Sequence, residues 1–456
     1  MTTPDSPSGL TQALAAYASA GLQYSMSATA MSLVQQGFLD TVAVTLAGRN
    51  EPVVRRLVDY VAAQGRAAGP CHILFASPGH AVTSAALINA TAAHALDYDD
   101  VGLQGHPSTV LVPALLAEGE RLGASGRQLL LAYQVGYEVW AELIARDRDL
   151  HHLKGWHPTA VFGVVAVAAA VVALRQLPAD VAAHALGLAA SHAGGLVANF
   201  GSMAKPFHAG MAAANGIAAV DLAQAGITAA PDALEHHAGY LAALSPKGQV
   251  DRSTPLRNLV AHGRLTELGL GVKKYPMCFA THRLIDGLLD LTRRHDLHPD
   301  AIARFDATVG VAQASMLRNH HPQTALEAKF SLEFALAAAV VARQVGLAQL
   351  DDTFVQHAVV QQLMRQVHIS TTDSVSPEEP SLAEFDELTV TLKSGEVLTS
   401  GPIRFARGTL QRPLAPGEMQ TKFYDCARAL PRAEQDRLWH HWQALDHVAD
   451  IRAVFG

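Results

Sequence analysis

Three segments of the chain place a histidine or a lysine directly before a proline. They are Gly105-His106-Pro107-Ser108, Trp156-His157-Pro158-Thr159 and Ala204-Lys205-Pro206-Phe207-His208. The residue before a proline is disfavoured in the α conformation, whereas proline itself is tolerated in the first turn of a helix. We therefore predict that His106, His157 and Lys205 lie just outside the N-termini of helices.

The N-terminus of a helix favours a bound anion and an uncharged imidazole. Its unpaired N–H groups and the positive end of the helix dipole attract a carboxylate, and the same field disfavours the imidazolium ion. A neutral histidine at such a position can act as a base towards a carboxylate substrate, with Ser108 and Thr159 helping to bind it. The alternative is that each His-Pro-Ser/Thr segment is only a capping turn with a solvent-facing ring.

A carboxylate cluster and a further histidine add to the candidate site. In His94-Ala-Leu-Asp97-Tyr-Asp99-Asp100 the carboxylates could bind a divalent metal, orient a histidine or act as acid and base; the alternative is a solvated loop with Asx caps. The segment from Lys273 to His282 places His282 about two turns into a helix predicted to open at Pro276, where packing is the alternative role.

The pattern of apolar residues predicts a mainly α fold with two domains. At 456 residues the chain exceeds the usual size of one core. Residues 1–264 are predicted as a large all-helical domain, with helices of 412–456 packing back on it, and residues 265–411 as a smaller α+β domain. Predicted helices include Ala81–Ala95, Val110–Leu122, Gly126–Arg146, Ala160–Leu174, Ala179–Ala189, Gly210–Ala225 and Glu327–Gln344; predicted strands are Phe305–Val311 and Leu388–Leu392, the latter in a hairpin with Val397, and a segment around Val367 and Ile369.

Composition excludes several classes of protein. A net charge of −7 and a pI near 6.4 argue against a nucleic-acid binder. The three cysteines form no CxxC pair and no secretion signal is visible, so a cytoplasmic protein is expected. The longest apolar run, Ala160 to Leu174, is too short for a confident membrane span. The chain contains neither an HExxH motif nor a P-loop, and we expect no metal.

Five segments in order resemble one family. They are HALDYDD followed by GHPS, GWHPTAVFG, NFGSMAKPFHAGMAAANG, KKYPMCFATH and EAKFS. Together they resemble the MmgE/PrpD family, which includes 2-methylcitrate dehydratase, cis-aconitate decarboxylase and iminodisuccinate epimerase. The motif residues are most similar to those of the epimerase. The resemblance implies a large helical domain, a smaller α+β domain, a homodimer and no metal or organic cofactor. By motif match, the family's site residues fall on Asp97, His106, His157, Lys205 and His282.

Two departures from the family pattern concern the decarboxylase branch. That branch carries a threonine soon after its acidic cluster, where Val101 lies here, and a tyrosine upstream of the EAKFS segment, whereas this chain has no tyrosine between Tyr275 and Tyr424. Decarboxylation of cis-aconitate is therefore the least supported of the three activities.

We predict an enzyme that abstracts an α-proton from a di- or tricarboxylate, a dehydratase or lyase. Lys205 and Lys273 would hold carboxylates and stabilise the enolate-like charge. His106 or His157 would remove the proton, with Asp97 orienting the ring and His282 completing the reaction. Epimerisation of an iminodisuccinate-like dicarboxylate is the alternative; a Mg²⁺-diphosphate helical enzyme and a non-catalytic helical binding protein are rivals from other classes.

Overall fold

The structure, a computed structural model, describes residues 9–64, 69–76, 78–147 and 149–455. The chain forms two compact units. The helical unit comprises Met1–Ala95, Asp99–Leu270 and Cys426–Gly456, and the smaller unit comprises Leu96–Tyr98 and Gly271–Asp425. The sequence predicts borders at 264/265 and 411/412, whereas the units change over at 270/271 and 425/426.

Residues 412–425 belong to the smaller unit because their side chains pair with other residues of that unit. Arg412 pairs with Asp286, and Lys274 pairs with Glu418. The ammonium group of Lys422 donates a 2.8 Å hydrogen bond to the carbonyl of Lys273.

Helices make up most of the helical unit, as their apolar faces predict. A two-stranded antiparallel ribbon of β1 (Cys71–His72) and β2 (Pro78–His80) interrupts them, which the sequence did not indicate. The helices are α1 Leu10–Ser19, α2 Ala28–Gly48, α3 Pro52–Ala63, α4 Val82–His94, α5 Pro107–Leu122, α6 Gly126–Ala145, α7 His151–Lys154, α8 Pro158–Val161, α9 Gly163–Arg175, α10 Ala179–Ser191, α11 Ala204–Gln224, α12 Tyr240–Leu244, α13 Leu265–Leu268 and, at the C-terminal end, α21 Arg432–Gln443.

Small residues let α11 approach its neighbours α4 and α9 closely. A Cβ atom on Gly210 would lie 2.5 Å from the carbonyl oxygen of Leu87 in α4, and one on Gly216 would lie 2.5 Å from a methyl carbon of Val167 in α9. Neither space could hold a side chain without displacing backbone or core atoms. The two glycines thus set the depth at which α11, which carries Lys205 and His208, sits in the helical unit.

The stretch Pro158–Arg175 forms the short helix α8 and the core helix α9, with a break at Phe162. It is the one stretch among the described residues that is long and apolar enough to cross a membrane, and 94% of it is buried inside the protein. A core helix of a packed domain has the same composition.

The smaller unit is built on a four-stranded mixed sheet in the order β4-β3-β5-β6. Strand β3 pairs in parallel with β4 and antiparallel with β5, and β5 and β6 form the predicted hairpin. The strands are β3 Ile302–Gly310, β4 Val367–Thr372, β5 Glu387–Leu392 and β6 Val397–Thr399, and the helices are α14 His282–His295, α15 Val311–Met316, α16 Ala325–Ala328, α17 Leu332–Val341, α18 Asp352–Val355, α19 Ala358–Met364 and α20 Pro416–Cys426.

Alternating residues of the sheet face the core of the smaller unit. Phe305 pairs with both Val367 and Val390 across the sheet, and Phe305 and Val390 are buried. The helix predicted over Glu327–Gln344 is in fact two helices, α16 and α17, because the chain turns at Phe330 and Ser331 caps the second helix by accepting the N–H of Phe334. The architecture confirms the predicted mainly α class with a smaller α+β domain.

Candidate active site

His106 stands directly before α5, as the proline after it predicts. It is the N-cap residue and Pro107 opens the helix, but the His106 side chain makes no capping hydrogen bond. Asp100 serves that purpose instead, because its Oδ1 accepts the N–H of Ser108 at 3.2 Å. The His106 ring, only 12% exposed, turns inward rather than towards solvent, so the simple capping-turn interpretation does not describe it.

Ser108 belongs to a buried hydrogen-bond network. Its hydroxyl bonds the Oδ2 of Asp100 and lies 2.7 Å from the hydroxyl of Tyr133. Burial, with Asp40 and Asp99 adding to it, raises the pKa of Asp100 to about 8, against the hydrogen bonds from Ser108. The sequence predicts Ser108 as a substrate ligand; the structure gives its hydroxyl two protein partners, which suit it to holding the turn that carries His106.

Asp99 joins two histidines of the helical unit. Its Oδ2 lies 2.9 Å from Nδ1 of His94 and 3.1 Å from Nδ1 of His106. Nδ1 of His106 is also 2.8 Å from the backbone carbonyl of Asp100. A carbonyl only accepts, so this nitrogen carries the proton and Nε2 of His106 carries the lone pair.

His157 lies on the other side of the same cluster. It is the N-cap residue of α8, and its ring stacks 5.7 Å from that of His94, centroid to centroid. Its Nδ1 lies 3.3 Å from Nδ1 of His208 on α11, and Phe200 packs edge-on against it. We call His94, His106, His157 and His208, with Asp99 and Lys205, the histidine cluster.

Lys205 lies inside the first turn of α11, not before it. The sequence predicts a helix from about Gly210, but α11 begins at Ala204, so Pro206 occupies its third position. The first-turn N–H groups of a helix have no intrahelical partner, and proline is therefore tolerated there. The buried ammonium group of Lys205 lies 5.2 Å from the centroid of the Phe200 ring.

Their surroundings lower the pKa values of three imidazoles of the cluster, those of His94, His157 and His208. Burial lowers the pKa of His94 to about 4, and the charge of Lys205 adds to this effect against that of Asp99. Burial, His94 and Lys205 hold the pKa of His157 well below its usual value, and burial and Lys205 lower that of His208. These rings are proton acceptors at neutral pH.

Two buried polar atoms in this region have no hydrogen-bond partner in the described part of the chain. They are Nε2 of His94 and the hydroxyl of Thr159, which follows Pro158 in α8. An unpaired buried polar group costs about 1–3 kcal/mol unless a ligand or water supplies a partner. This suits Thr159 to the substrate-binding role that the sequence predicts for it.

In the smaller unit, Asp97 and Lys273 form a buried ion pair. The ammonium group of Lys273 donates to Oδ2 of Asp97 at 2.8 Å and to its carbonyl at 2.7 Å. Asp97 itself has a positive φ of 52°, which is rare for a residue with a side chain. The sequence predicts Lys273 as a carboxylate ligand and Asp97 as the partner of a histidine; within this unit they are partners of each other.

His282 begins α14 instead of lying two turns inside a helix. Pro276 opens no helix, and a 3₁₀ turn, Phe279–Thr281, leads directly into His282. The ring is fully buried and its Nε2 lies 3.2 Å from the carbonyl of Met277. Burial and the charge of Lys273 lower its pKa to about 3 against the Met277 bond, which raises it.

Sequence reasoning named Asp99 only as one of three candidate carboxylates, and it assigned no role to His94 or His208. His94 is the last residue of α4 and Asp99 lies five residues on, a spacing that no regular element brings together. His208 lies in the KPFH segment, four residues after the start of α11, and the position of Lys205 on that helix was the available signal.

Nδ1 of His94 and Nδ1 of His106 already have protein partners, so a metal ion would have to bind their Nε2 atoms.

Comparison with known proteins identifies two family domains in the chain. Residues 12–253 match the MmgE/PrpD N-terminal domain, and residues 275–446 match the MmgE/PrpD C-terminal domain. The first match alone spans more than half of the 456 residues.

Several curated relatives are similar over most of their length. Cis-aconitate decarboxylase of Mus musculus is 28% identical over 75% of this chain and 71% of its own, and that of Homo sapiens is 28% identical over 75% and 72%. Cis-aconitate decarboxylase of Aspergillus terreus is 26% identical over 77% of this chain and 74% of its own. These relatives carry the activity that the sequence ranked lowest.

The family and these relatives confirm the prediction of an enzyme that acts on carboxylic acids. The two domain matches follow one another in the order of the sequence motifs. The chain belongs to the MmgE/PrpD family.

Proposed function

We propose that the chain is a lyase that removes a proton from the carbon beside a carboxylate of a small di- or tricarboxylate, using its own side chains. The observation that carries this proposal is the histidine cluster, in which the His94 and His157 imidazoles are buried and uncharged and Lys205 lowers the pKa of both. Neutral imidazoles with low pKa values are available to accept a proton. A buried ammonium group beside them suits a substrate carboxylate and the negative charge that develops on it.

We assign His106 as the base. Its side chain keeps 12% exposure, whereas that of His94 has none. Its Nδ1 proton is held by the Asp100 carbonyl, which leaves the Nε2 lone pair to accept the α-proton. When the C–H bond breaks, its electron pair stays on the carbon beside the carboxylate and delocalises into that carboxylate, where Lys205 stabilises the enolate-like charge.

The other predicted residues receive supporting roles. His157, more deeply buried than His106, is proposed to orient the substrate together with Thr159. The Asp97 carboxylate and the Lys273 ammonium group are proposed to neutralise most of each other's charge, because they form an ion pair. An imidazole with a pKa of about 3 is uncharged at neutral pH, so His282 is not favoured as the acid that completes the reaction.

Dehydration of a hydroxy acid fits this cluster best, because it begins with removal of an α-proton by an uncharged base. The β C–O bond then breaks, and the hydroxyl leaves as water with the proton that His106 has taken up. Decarboxylation of a cis-aconitate-like substrate is the second candidate, and the names of the relatives favour it. That reaction needs a proton delivered to carbon after CO₂ leaves, and the uncharged imidazoles of His94 and His157 are not suited to supply it. Epimerisation of an iminodisuccinate-like dicarboxylate is supported by motif wording alone.

The test is product analysis by NMR in D₂O with a panel of hydroxy tricarboxylates, cis-aconitate and N-substituted aspartates. We expect an alkene from a hydroxy acid and deuterium exchange at its α-carbon. Release of CO₂ from cis-aconitate without exchange of a hydroxy acid would replace dehydration by decarboxylation. Deuterium incorporation with inversion and no elimination would identify an epimerase.

Two variants assign the base. His106→Asn and His157→Asn should both fold, since asparagine is a good N-cap residue. His106→Asn should lose about 10²-fold or more in kcat and also lose α-carbon exchange, while substrate still binds. His157→Asn should chiefly raise KM. Near-parental exchange and turnover in both variants would leave the proposed mechanism without a base.

A further inference from the structure

Asp99 occupies a position that the proposed mechanism does not yet use. It is completely buried at the centre of the histidine cluster, and a single carboxylate oxygen reaches Nδ1 of both His94 and His106. His94 is equally buried, and its other ring nitrogen, Nε2, has no partner among the described residues.

The hydrogen-bond pattern fixes the protonation of all three groups. Burial opposes ionisation of Asp99, but its pairing with His94 and His106 holds its pKa well below the usual value. An ionised carboxylate only accepts, so His94 must donate from Nδ1, and its Nε2 is left unprotonated. His94 and His106 therefore share one tautomer and one partner.

We propose that Asp99 and His94 are positioning residues for His106: Asp99 orients its ring and stabilises its protonated form, and His94 holds Asp99 in place. The inference rests on the proposed role of His106 as base. When Nε2 of His106 takes up the substrate proton, the imidazolium ion forms beside an anion already aimed at its Nδ1. A buried carboxylate that need not reorganise stabilises this charge more than water would.

Two other charged groups of the helical unit, Lys205 and Asp100, do not supply the same effect. Lys205 is cationic and opposes a second positive charge on the neighbouring rings, as its influence on His94 and His157 shows. Asp100 engages Ser108 through its carboxyl group and reaches His106 only through its backbone carbonyl. Within the helical unit, Asp99 is the ionised carboxylate bonded to both rings.

Asp99→Asn is the first test, because asparagine keeps an acceptor for the Nδ1 proton but removes the charge. We expect kcat to fall by about 10²-fold or more, and the acid limb of the pH–rate profile to move to lower pH, since the imidazolium ion loses its counter-charge. Glu120→Gln is the matched control. Glu120 bonds His72 elsewhere in the helical unit in the same carboxylate–Nδ1 arrangement, and its loss should leave both readouts unchanged.

His94 is tested by a pair of variants. In His94→Asn the amide nitrogen can replace Nδ1 as the donor to Asp99, whereas His94→Leu has no donor. We expect Asn to retain most of the activity that Leu loses. Equal loss in both variants would overturn the holding role of His94. If His94→Leu does not fold, the Asp99→Asn profile still decides the role of Asp99.

The two proposals fail in distinguishable ways. If His106→Asn retains turnover and α-carbon exchange, the proposed function fails, whatever Asp99 does. If His106→Asn is inactive but Asp99→Asn shows the parental kcat and the parental acid limb, only the positioning role of Asp99 is overturned. Thermal melting of every variant separates loss of chemistry from loss of fold.

Discussion

At the scale of single residues, the same sequence pattern leads to three different environments. His106 retains partial exposure and a fixed Nδ1 proton, His157 is enclosed by aromatic rings, and Lys205 is buried on the first turn of α11. A His-Pro or Lys-Pro pair fixes where a residue stands relative to a helix end, because the constraint is local. It does not fix what surrounds the side chain, which depends on distant helices.

Lys205 provides the first prediction at this scale. Lys205→Met keeps the aliphatic stem but removes the buried positive charge, so substrate carboxylate and enolate charge lose their stabilisation. We expect a loss of about 10²-fold or more in kcat/KM, the scale for removing a stabilising group of an active site. Steady-state kinetics with the substrate identified by NMR is the measurement.

Lys154→Met is the matched control. Lys154 is exposed on α7 of the same unit, and its ammonium group contacts only the carbonyl of Pro246 at 3.4 Å among the described hydrogen bonds. Its replacement should change kcat/KM little. Equal and small effects in both variants would make the AKPFH segment a structural element.

At the scale of elements, the sequence predicts where helices lie better than where they begin. Helix α6 was predicted within one residue because its limits are local: Ser125 forms a capping box with Gln128. Helix α11 begins six residues before its predicted start, since the first turn of a helix accepts proline at its third position. The β1–β2 ribbon is too short to show alternation.

The cluster itself could be predicted only in part. His106 and His157 stand out because proline follows each of them, but Asp99 and His94 are brought together by the turn after α4. A non-helical spacing of five residues gives no periodic signal. The sequence could not show which partner each carboxylate has. In the structure Asp97 pairs with Lys273, and Asp99 pairs with His94 and His106.

The start of α5 yields a prediction about stability and pH. Asp100 caps this helix through Ser108, and its pKa of about 8 means that the folded state binds a proton which the unfolded state releases near its ordinary pKa. The stability from this group is therefore fully present only below the ordinary aspartate pKa of about 4, and it is lost progressively as pH rises from there to about 8. Asp100→Asn imitates the protonated form at every pH.

We expect the melting temperature of Asp100→Asn to rise relative to that of the parent as pH increases from 5 to 8, with the largest difference near pH 8. Differential scanning calorimetry from pH 5 to pH 9 measures this. A variant that is less stable by a constant amount at every pH would show that Asp100 is ionised in the folded protein and accepts both Ser108 bonds as a carboxylate.

At the scale of the whole molecule, the composition leaves apolar surface to be covered. Charged residues make up only 16% of the chain, against roughly a quarter in an average soluble domain. In the helical unit, Leu153 is 63% exposed and Leu196 is 51% exposed. Their segments are joined, because Trp156 and Leu196 form a β-bridge and Val197 donates its N–H to the carbonyl of Gly155.

These features lead us to predict a homodimer, in line with the family resemblance. Light scattering at micromolar concentration should give twice the chain mass of 48.3 kDa. If the surface around Leu153 and Leu196 forms the contact, Leu196→Glu buries a charge there and shifts the protein to monomer. Val397→Glu is the matched control, since Val397 is 60% exposed on β6 of the smaller unit. A monomeric parent would contradict the dimer, and a dimeric Leu196→Glu variant would move the contact to another surface.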